Sequence, residues 1–303
     1  MRVLIAVDGS GDGFAAARQI GQLLAPERDQ IGVFYSPPEV HVGAGSAPDG
    51  AIIDRARQAL SDSVFDEAAE RLPDGFHAAL ERITGHGQPR RAILKAADEW
   101  KADMIVVGAR GLGPIQQALL GSVSLSVAHS AKVPVFVARD ATTRAGGEGY
   151  RVLVAFDESE VSEHAVVVMT GLTFPGHTVG RVVTVIESMF AGEVPEWLEQ
   201  QARDADSEAM AQAWVREHDQ ERQHARDMLV SLIARLPGGF GGHEPIVAEG
   251  HPSQRILETI RDEQIDLVVL GAHGRGMIDR LLVGSTSEKV LAHAPCSVLI
   301  VRE

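Results

Sequence analysis

Two loops in this chain carry residue types and a spacing suited to holding a phosphate. Each reads Gly-x-x-Gly, then nine residues, then Gly-Ser. The first is Gly108-Ala109-Arg110-Gly111 leading to Gly121-Ser122-Val123-Ser124; the second is Gly271-Ala272-His273-Gly274 leading to Gly284-Ser285-Thr286-Ser287. The chemistry expected is anion binding by backbone N–H groups. Gly108 and Gly271 end apolar runs, where a side chain would block close approach of a ligand. Gly111 and Gly274 are expected to take positive φ and turn the chain. Gly121-Ser122 and Gly284-Ser285 are expected to open a helix. Its free N–H groups and dipole, with the hydroxyls of Ser124 and Ser287, suit an anion such as a triphosphate. The nine intervening residues are expected to form a short turn beside the pocket.

A carboxylate accompanies each loop. Asp8 and Asp157 end the apolar runs 2–7 and 151–156, placed to accept hydrogen bonds from ribose hydroxyls or a base. One glycine loop alone is weak evidence, because glycine at a strand–helix turn is often structural. Two copies with identical spacing, each with a hydroxyl after the third glycine, favour nucleotide.

Rival motifs fare worse. Gly9-Ser10-Gly11-Asp12-Gly13 follows a strand-like run, but its spacing is not that of a dinucleotide fingerprint, and the matching Glu158-Ser159-Glu160-Val161-Ser162 has no glycine. Neither a P-loop with its lysine nor a Gly-x-Ser-x-Gly elbow is present. The 12 histidines are scattered without metal-ligand spacing. His273 alone lies inside a loop, where solvent and phosphate are equally reasonable neighbours. The single cysteine, Cys296, reads as a small packed residue and fits a reducing compartment.

The elements that must position these residues occur twice. MRVLIAVDGS (1–10) matches YRVLVAFDES (150–159) at an offset of 149, and residues 87–139 match 250–302 at an offset of 163 with about twenty identities. The fourteen extra residues fall between roughly 187 and 240. This organisation predicts domain-sized units over 1–140 and 150–303, a linker over 141–149, and an enlarged helical segment in the second unit. Strand-like runs at 2–7, 31–36, 103–108 and 134–138, with a weaker one near 76–83, alternate with helical spacing at 13–25, 51–72, 88–100 and 121–130. The second half repeats the plan, with strands near 151–156, 179–186, 243–248, 266–271 and 297–301. Such alternation predicts a parallel sheet with helices on both faces. The stretch 195–236 is too long for one typical globular helix and is expected to break. Residues 193–227 hold ten acidic and four basic side chains with Trp197, Met210 and Trp214 among them. They read as a solvated helical excursion, or as a partner-binding, lid or edge-covering element.

Composition bounds the function. Apolar residues make up 45% and charged residues 23%, with no apolar run long enough to cross a bilayer and no secretion leader, so a cytoplasmic protein without a membrane partner is expected. A net charge of −14 argues against nucleic acid but leaves anionic nucleotides open.

The opening AVDGS, the repeated glycine loop and the closing Ala131-x-x-Pro134-Val135 resemble the universal stress protein family, in a tandem form covering both halves. The resemblance implies an adenine nucleotide α-hydrolase-like α/β fold, with five-stranded parallel sheets in the order 3-2-1-4-5. It also implies ATP as ligand, with Mg²⁺ held through the phosphates. Carried across, Ala6 and Asp8 in the first half and Ala155 and Asp157 in the second would border the adenosine. Val107-Gly108 and Leu270-Gly271 would border the ribose, and Arg110 with Gly111, or His273 with Gly274, would lie near the phosphates. Gly121, Ser122, Val123 and Ser124, or Gly284, Ser285, Thr286 and Ser287, would cradle them. Tyr35 or Ser36, and Val185 or Ile186, are the candidate adenine walls. Pairing through the last strands, 134–138 and 297–301, implies an internal pseudo-dimer, with a homodimer and an unidentified protein client as further partners. The chain departs from its own repeat at Arg110 against His273, at Pro114, and at Ser297 against Pro134.

The function expected is an ATP-binding stress-response regulator or switch, with at most weak ATPase activity. The alternatives are an adenine-nucleotide hydrolase or transferase on the same fold, which needs a catalytic acid or base, and a scaffold acting through dimer surfaces.

Overall fold

Short runs of Val, Ile and Leu with alternating side-chain direction make strands that bury both faces, and here they divide their residues between two cores. Val3, Ile5 and Val7 enter one apolar cluster while Leu4 and Ala6 enter the other; Leu299 and Val301 part from Val298 and Ile300 in the same way. The computed structural model describes residues 1–38, 50–111, 120–139, 149–187, 205–274 and 283–302. The expected linker therefore lies almost wholly outside the described residues, as do the loop tips 112–119 and 275–282.

In the first half, β1 (Arg2–Val7), β2 (Gln30–Tyr35), β3 (Glu81–Thr84), β4 (Met104–Gly108) and β5 (Val135–Ala138) alternate with α1 (Gly11–Gly21), α2 (Gly50–Glu70), α3 (Pro89–Trp100) and α4 (Ser122–Ser130). The second half has β6 (Arg151–Ala155), β7 (Val179–Ile186), β8 (Ile246–Glu249), β9 (Leu267–Gly271) and β10 (Ser297–Val301). Its helices are α5 (Glu160–Thr170), α6 (Ala205–Ile233), α7 (Pro252–Asp262) and α8 (Ser285–His293). Helices α1, α2, α5 and α6 pack on one face; α3, α4, α7 and α8 pack on the other.

The strands form one ten-stranded sheet in the order β3-β2-β1-β4-β5-β10-β9-β6-β7-β8. The expected order 3-2-1-4-5 is present twice, in mirror sequence about the centre. All pairs are parallel except β5 with β10, which run antiparallel with Phe136 opposite Leu299. One expectation changes. The third strand is only Glu81–Thr84, because Asp74–Ala79 forms a short 3₁₀ turn. Of the stretch 195–236, residues 195–204 lie outside the described residues; from 205 on, α6 runs unbroken through 29 residues, anchored by Ala225, Leu229 and Leu232 in the core.

The seam is fastened from both sides. Buried Arg139, just after β5, donates to the Leu291 carbonyl at 2.7 Å, in the last turn of α8. Buried Arg302, just after β10, donates at 2.9 Å to the carbonyls of Ala128 and His129, in the last turn of α4. A cation at a helix C-terminus meets its orphan carbonyls and the negative end of its dipole. Burial pulls both guanidinium pKa values below their ordinary level. Ser297, which stands where the first half has Pro134, accepts from the Arg139 N–H and donates to Gln19 Oε1 at 2.7 Å. The Gln19 amide in turn donates to the Arg139 carbonyl at 2.7 Å.

Arg302→Met leaves two carbonyls of α4 without their partner, so unfolding in urea is expected to require about 1–3 kcal/mol less. An unshifted midpoint would mean that the guanidinium's burial cost cancels its bonds. Burial also pushes the Cys296 thiol up to about 12. A thiol reagent at neutral pH is therefore expected to find no reactive cysteine in the native chain and one after guanidinium unfolding; rapid native labelling would contradict the packed position of Cys296.

Candidate functional site

At the carboxyl ends of the strands, each first strand turns sharply into its helix. Asp8 Oδ1 accepts from the Ser10 N–H at 3.0 Å and its hydroxyl at 2.5 Å; Asp157 Oδ1 accepts from Ser159 at 3.1 and 2.6 Å. The same serines cap their helices, Ser10 Oγ accepting from the Gly13 N–H and Ser159 Oγ from the Ser162 N–H. The turn places one residue in the left-handed region: Gly9 at φ 83° in the first half, Glu158 at φ 60° in the second. A non-glycine residue there costs roughly 1–2 kcal/mol.

The glycines of the loop serve contacts other than those expected. A Cβ on Gly108 would lie 2.7–2.8 Å from backbone atoms of Asp12 and Gly13; one on Gly271 would meet Val161 Cγ1 at 3.0 Å. What approaches the strand end is the first turn of α1 or α5. Gly111 and Gly274 are absent from the positive-φ glycines of the described residues, which are Gly9, Gly87 and Gly250. Their missing Cβ makes room for a carboxylate: it would collide with Asp8 Oδ2 in the first half and lie 2.6 Å from Asp157 Oδ2 in the second. The hydroxyls of Ser124 and Ser287 are also committed. They donate to the carbonyls of Gly108 and Gly271 at 2.6 and 2.7 Å, pinning each helix to its strand end, so neither proton is directed at an anion.

The open donors are backbone groups. Gly121 and Gly284 precede α4 and α8 and supply no side-chain cap, and both fold back through N–H bonds of 2.7 Å to the carbonyls of Ala109 and Ala272. The first N–H groups of each helix, including those of Ser122 and Val123 or Ser285 and Thr286, have no acceptor within the helix itself.

In the second half these parts surround one cavity of about 830 Å³. All ten residues expected there line it: Ala155, Asp157, Leu270, Gly271, His273, Gly274, Gly284, Ser285, Thr286 and Ser287, together with Val185 and Ile186 from the end of β7. His273 is buried, and its Nδ1 has no hydrogen-bond partner among the described residues. The long acidic segment contributes a wall: Glu221, His224, Ala225 and Met228 of α6 face the same space. His224 lies 3.6 Å from Glu158, and Arg235 grips both oxygens of Glu163 at 3.1 and 2.6 Å, holding that carboxyl below its usual range. The wall is foreshadowed by apolar residues at 225, 228, 229 and 232, spaced for one helix face.

The first half places Ala6, Asp8, Val107, Gly108, Arg110 and Gly111 at matching strand ends, with Gly121 to Ser124 at the start of α4. Tyr35 is not free to wall an adenine: its ring is buried edge-on to Phe65, and burial, then the charge of Asp8, raises its pKa. That leaves Ser36 at the end of β2. A contact not anticipated is the pairing of Asp12 with Arg110, whose backbone N–H and Nε both donate to Asp12 Oδ2, at 3.1 and 3.0 Å.

The model of the universal stress protein family matches residues 1–139 and 150–302. The chain belongs to the universal stress protein family. A universal stress protein of Mycolicibacterium smegmatis is 26% identical over 99% of this chain and 96% of its own length. Another from Mycobacterium tuberculosis is 30% identical over 82% of this chain and 78% of its own. A solved universal stress protein from Archaeoglobus fulgidus, 22% identical, superposes with a TM-score of 0.58 over 100% of this chain and 96% of the other. That likeness is one of fold. Among the described residues no helix is long and apolar enough to cross a membrane, and no group of three or more His, Cys, Asp or Glu is placed to hold a metal ion.

Because the Gly108 contact is with backbone and the Gly271 contact with a side chain that can turn, Gly108→Ala is expected to cost more stability. About 1–3 kcal/mol is expected for Gly108→Ala and less for Gly271→Ala, read from urea unfolding of each variant. Equal losses would mean that helix approach is not what these positions require.

Proposed function

We propose that this universal stress protein binds ATP and acts as a nucleotide-dependent regulator of a stress response, in the cytoplasm and through a protein client. The observation that carries this is the second-half cavity. Ten residues chosen for phosphate and adenosine contact meet around a space of about 830 Å³, within the range of small-molecule sites. The uncapped start of α8 offers backbone N–H groups and a positive dipole end to phosphates. His273 borders the same cavity, where its imidazole adds a polar side chain to the lining. Val185 and Ile186 offer an apolar surface to a base. Asp157, which lines the cavity, offers its carboxylate to a ribose hydroxyl.

The neighbouring Glu158, Glu187 and Glu221 make the cavity rim acidic. Phosphates beside them are better accommodated with Mg²⁺ than alone, so the ligand is read as Mg-ATP. The residues supply positioning and charge complementarity. Turnover needs a group that moves a proton or orients water, and this reading assigns none.

Calorimetry with Mg-ATP, together with mass spectrometry of nucleotide extracted from the purified chain, tests the reading. Gly284→Glu sets a carboxylate at the start of α8 and is expected to weaken binding by ~10-fold or more, about 1.4 kcal/mol. Undiminished affinity in that variant would remove the loop from the site.

A further inference from the structure

We propose that the two loops are not equivalent, because Asp12 acts as an internal anion that keeps the first loop from receiving a nucleotide's phosphates. The inference rests on the ATP reading of the second half and assigns the chain one ATP rather than two.

The cationic group of the first loop expected near a phosphate is already engaged, although the first N–H groups of α4 are not engaged within that helix. Arg110 is the residue of that loop with both a backbone N–H and a cationic side chain, and Asp12 Oδ2 accepts from each, at 3.1 and 3.0 Å. The carboxylate is well sheltered, its side chain 15% exposed, whereas the guanidinium it holds is half exposed. Its position is set by packing. Asp12 lies in the first turn of α1, against the end of β4, where even a Cβ on Gly108 would meet its carbonyl carbon at 2.7 Å. Arg110 lies in turn beside the uncapped start of α4: a Cβ on Gly121 would fall 3.7 Å from Arg110 Cα. Asp12 thus holds the loop's cationic side chain beside the start of α4, and its bond to Arg110 must break before the guanidinium can serve a phosphate.

The second half lacks this arrangement. The position aligned with Asp12 is Val161, which has no side-chain acceptor, and the position aligned with Arg110 is His273, whose Nδ1 is buried without a partner among the described residues. Of the acidic groups of that cavity, Asp157 has its counterpart in Asp8 and so does not distinguish the halves, Glu187 and Glu221 lie after β7 and on α6, and Glu158 is drawn toward His224. Duplication has kept both glycine loops and changed the pair of residues that decides whether a loop is filled from within.

Titration calorimetry and native mass spectrometry with Mg-ATP read the outcome as nucleotides per chain. The expected values are one for the wild type, one for Gly121→Glu, none for Gly284→Glu and two for Asp12→Val. Asp12→Asn keeps the side-chain size and an acceptor for the Arg110 N–H while removing the charge, and is also expected to admit a second ATP. Circular dichroism of each variant confirms that the fold persists. Two ATP on the wild type, or one on both folded Asp12 variants, overturns the proposal while leaving the nucleotide reading standing. No ATP on any chain overturns both.

Discussion

The first turn of α1 and of α5 presses against the end of the strand beside it, and much of the site follows from that contact. A Cβ at 108 would strike backbone, whereas one at 271 would press on the Val161 side chain and on backbone at 3.3 Å. Once the helix sits there, its capping serine draws the aspartate of the first strand inward, and the aspartate's second oxygen fills the space left by Gly111 or Gly274. The serine of the following helix then closes the arrangement by bonding the strand-end carbonyl. Backbone approach, carboxylate placement and helix placement form one linked set, so a methyl group at one glycine is felt at the others. Such a framework commits the side chains around the strand ends and leaves the first backbone N–H groups of α4 and α8, which have no acceptor within their own helix, at the positive end of the helix dipole.

The same two helices are held at their other ends from across the seam. Arg139 meets the last turn of α8 and Arg302 the last turn of α4, so each half steadies the helix whose first turn forms the other half's cradle. A helix gripped at its C-terminus by a buried cation is less free to shift along its axis. The seam therefore bears on the geometry of both loops as well as on the joining of the sheet.

Much of the architecture is legible in the residues. Runs of Val, Ile and Leu mark the inner strands to within a few residues, because strands buried on both faces must be apolar throughout. The edge strands β3 and β8 are short and only partly covered, and β3, with Glu81, Arg82 and Thr84 facing solvent, carries no such run. The loop positions are equally visible, but the reasons for their residue types are not. Gly108 is glycine because of Asp12, 96 positions earlier in the chain, and Gly111 is glycine because of Asp8; neither partner can be read from local spacing. The same non-locality hides the commitment of Ser124 and Ser287. The length of α6 is likewise not set locally: its C-terminal turns carry Ala225, Leu229 and Leu232 into the core, and tertiary packing of this kind supports a 29-residue helix.

Fusing two units in one chain changes what the seam can do. When two identical chains pair about a twofold axis, every contact occurs twice and every substitution appears in both sites. The paired arginines here obey that symmetry. The bridge from Gln19 through Ser297 to Arg139 does not, because the residues aligned with Gln19 and Ser297 are Val168 and Pro134, and neither can complete a second copy. This buried triad distinguishes one side of the seam from the other. With the halves no longer interchangeable, a change such as Asp12 against Val161, or a long helix over one cavity alone, alters one site without altering the other. The covalent link is what permits the two loops to keep the same spacing while their surroundings diverge.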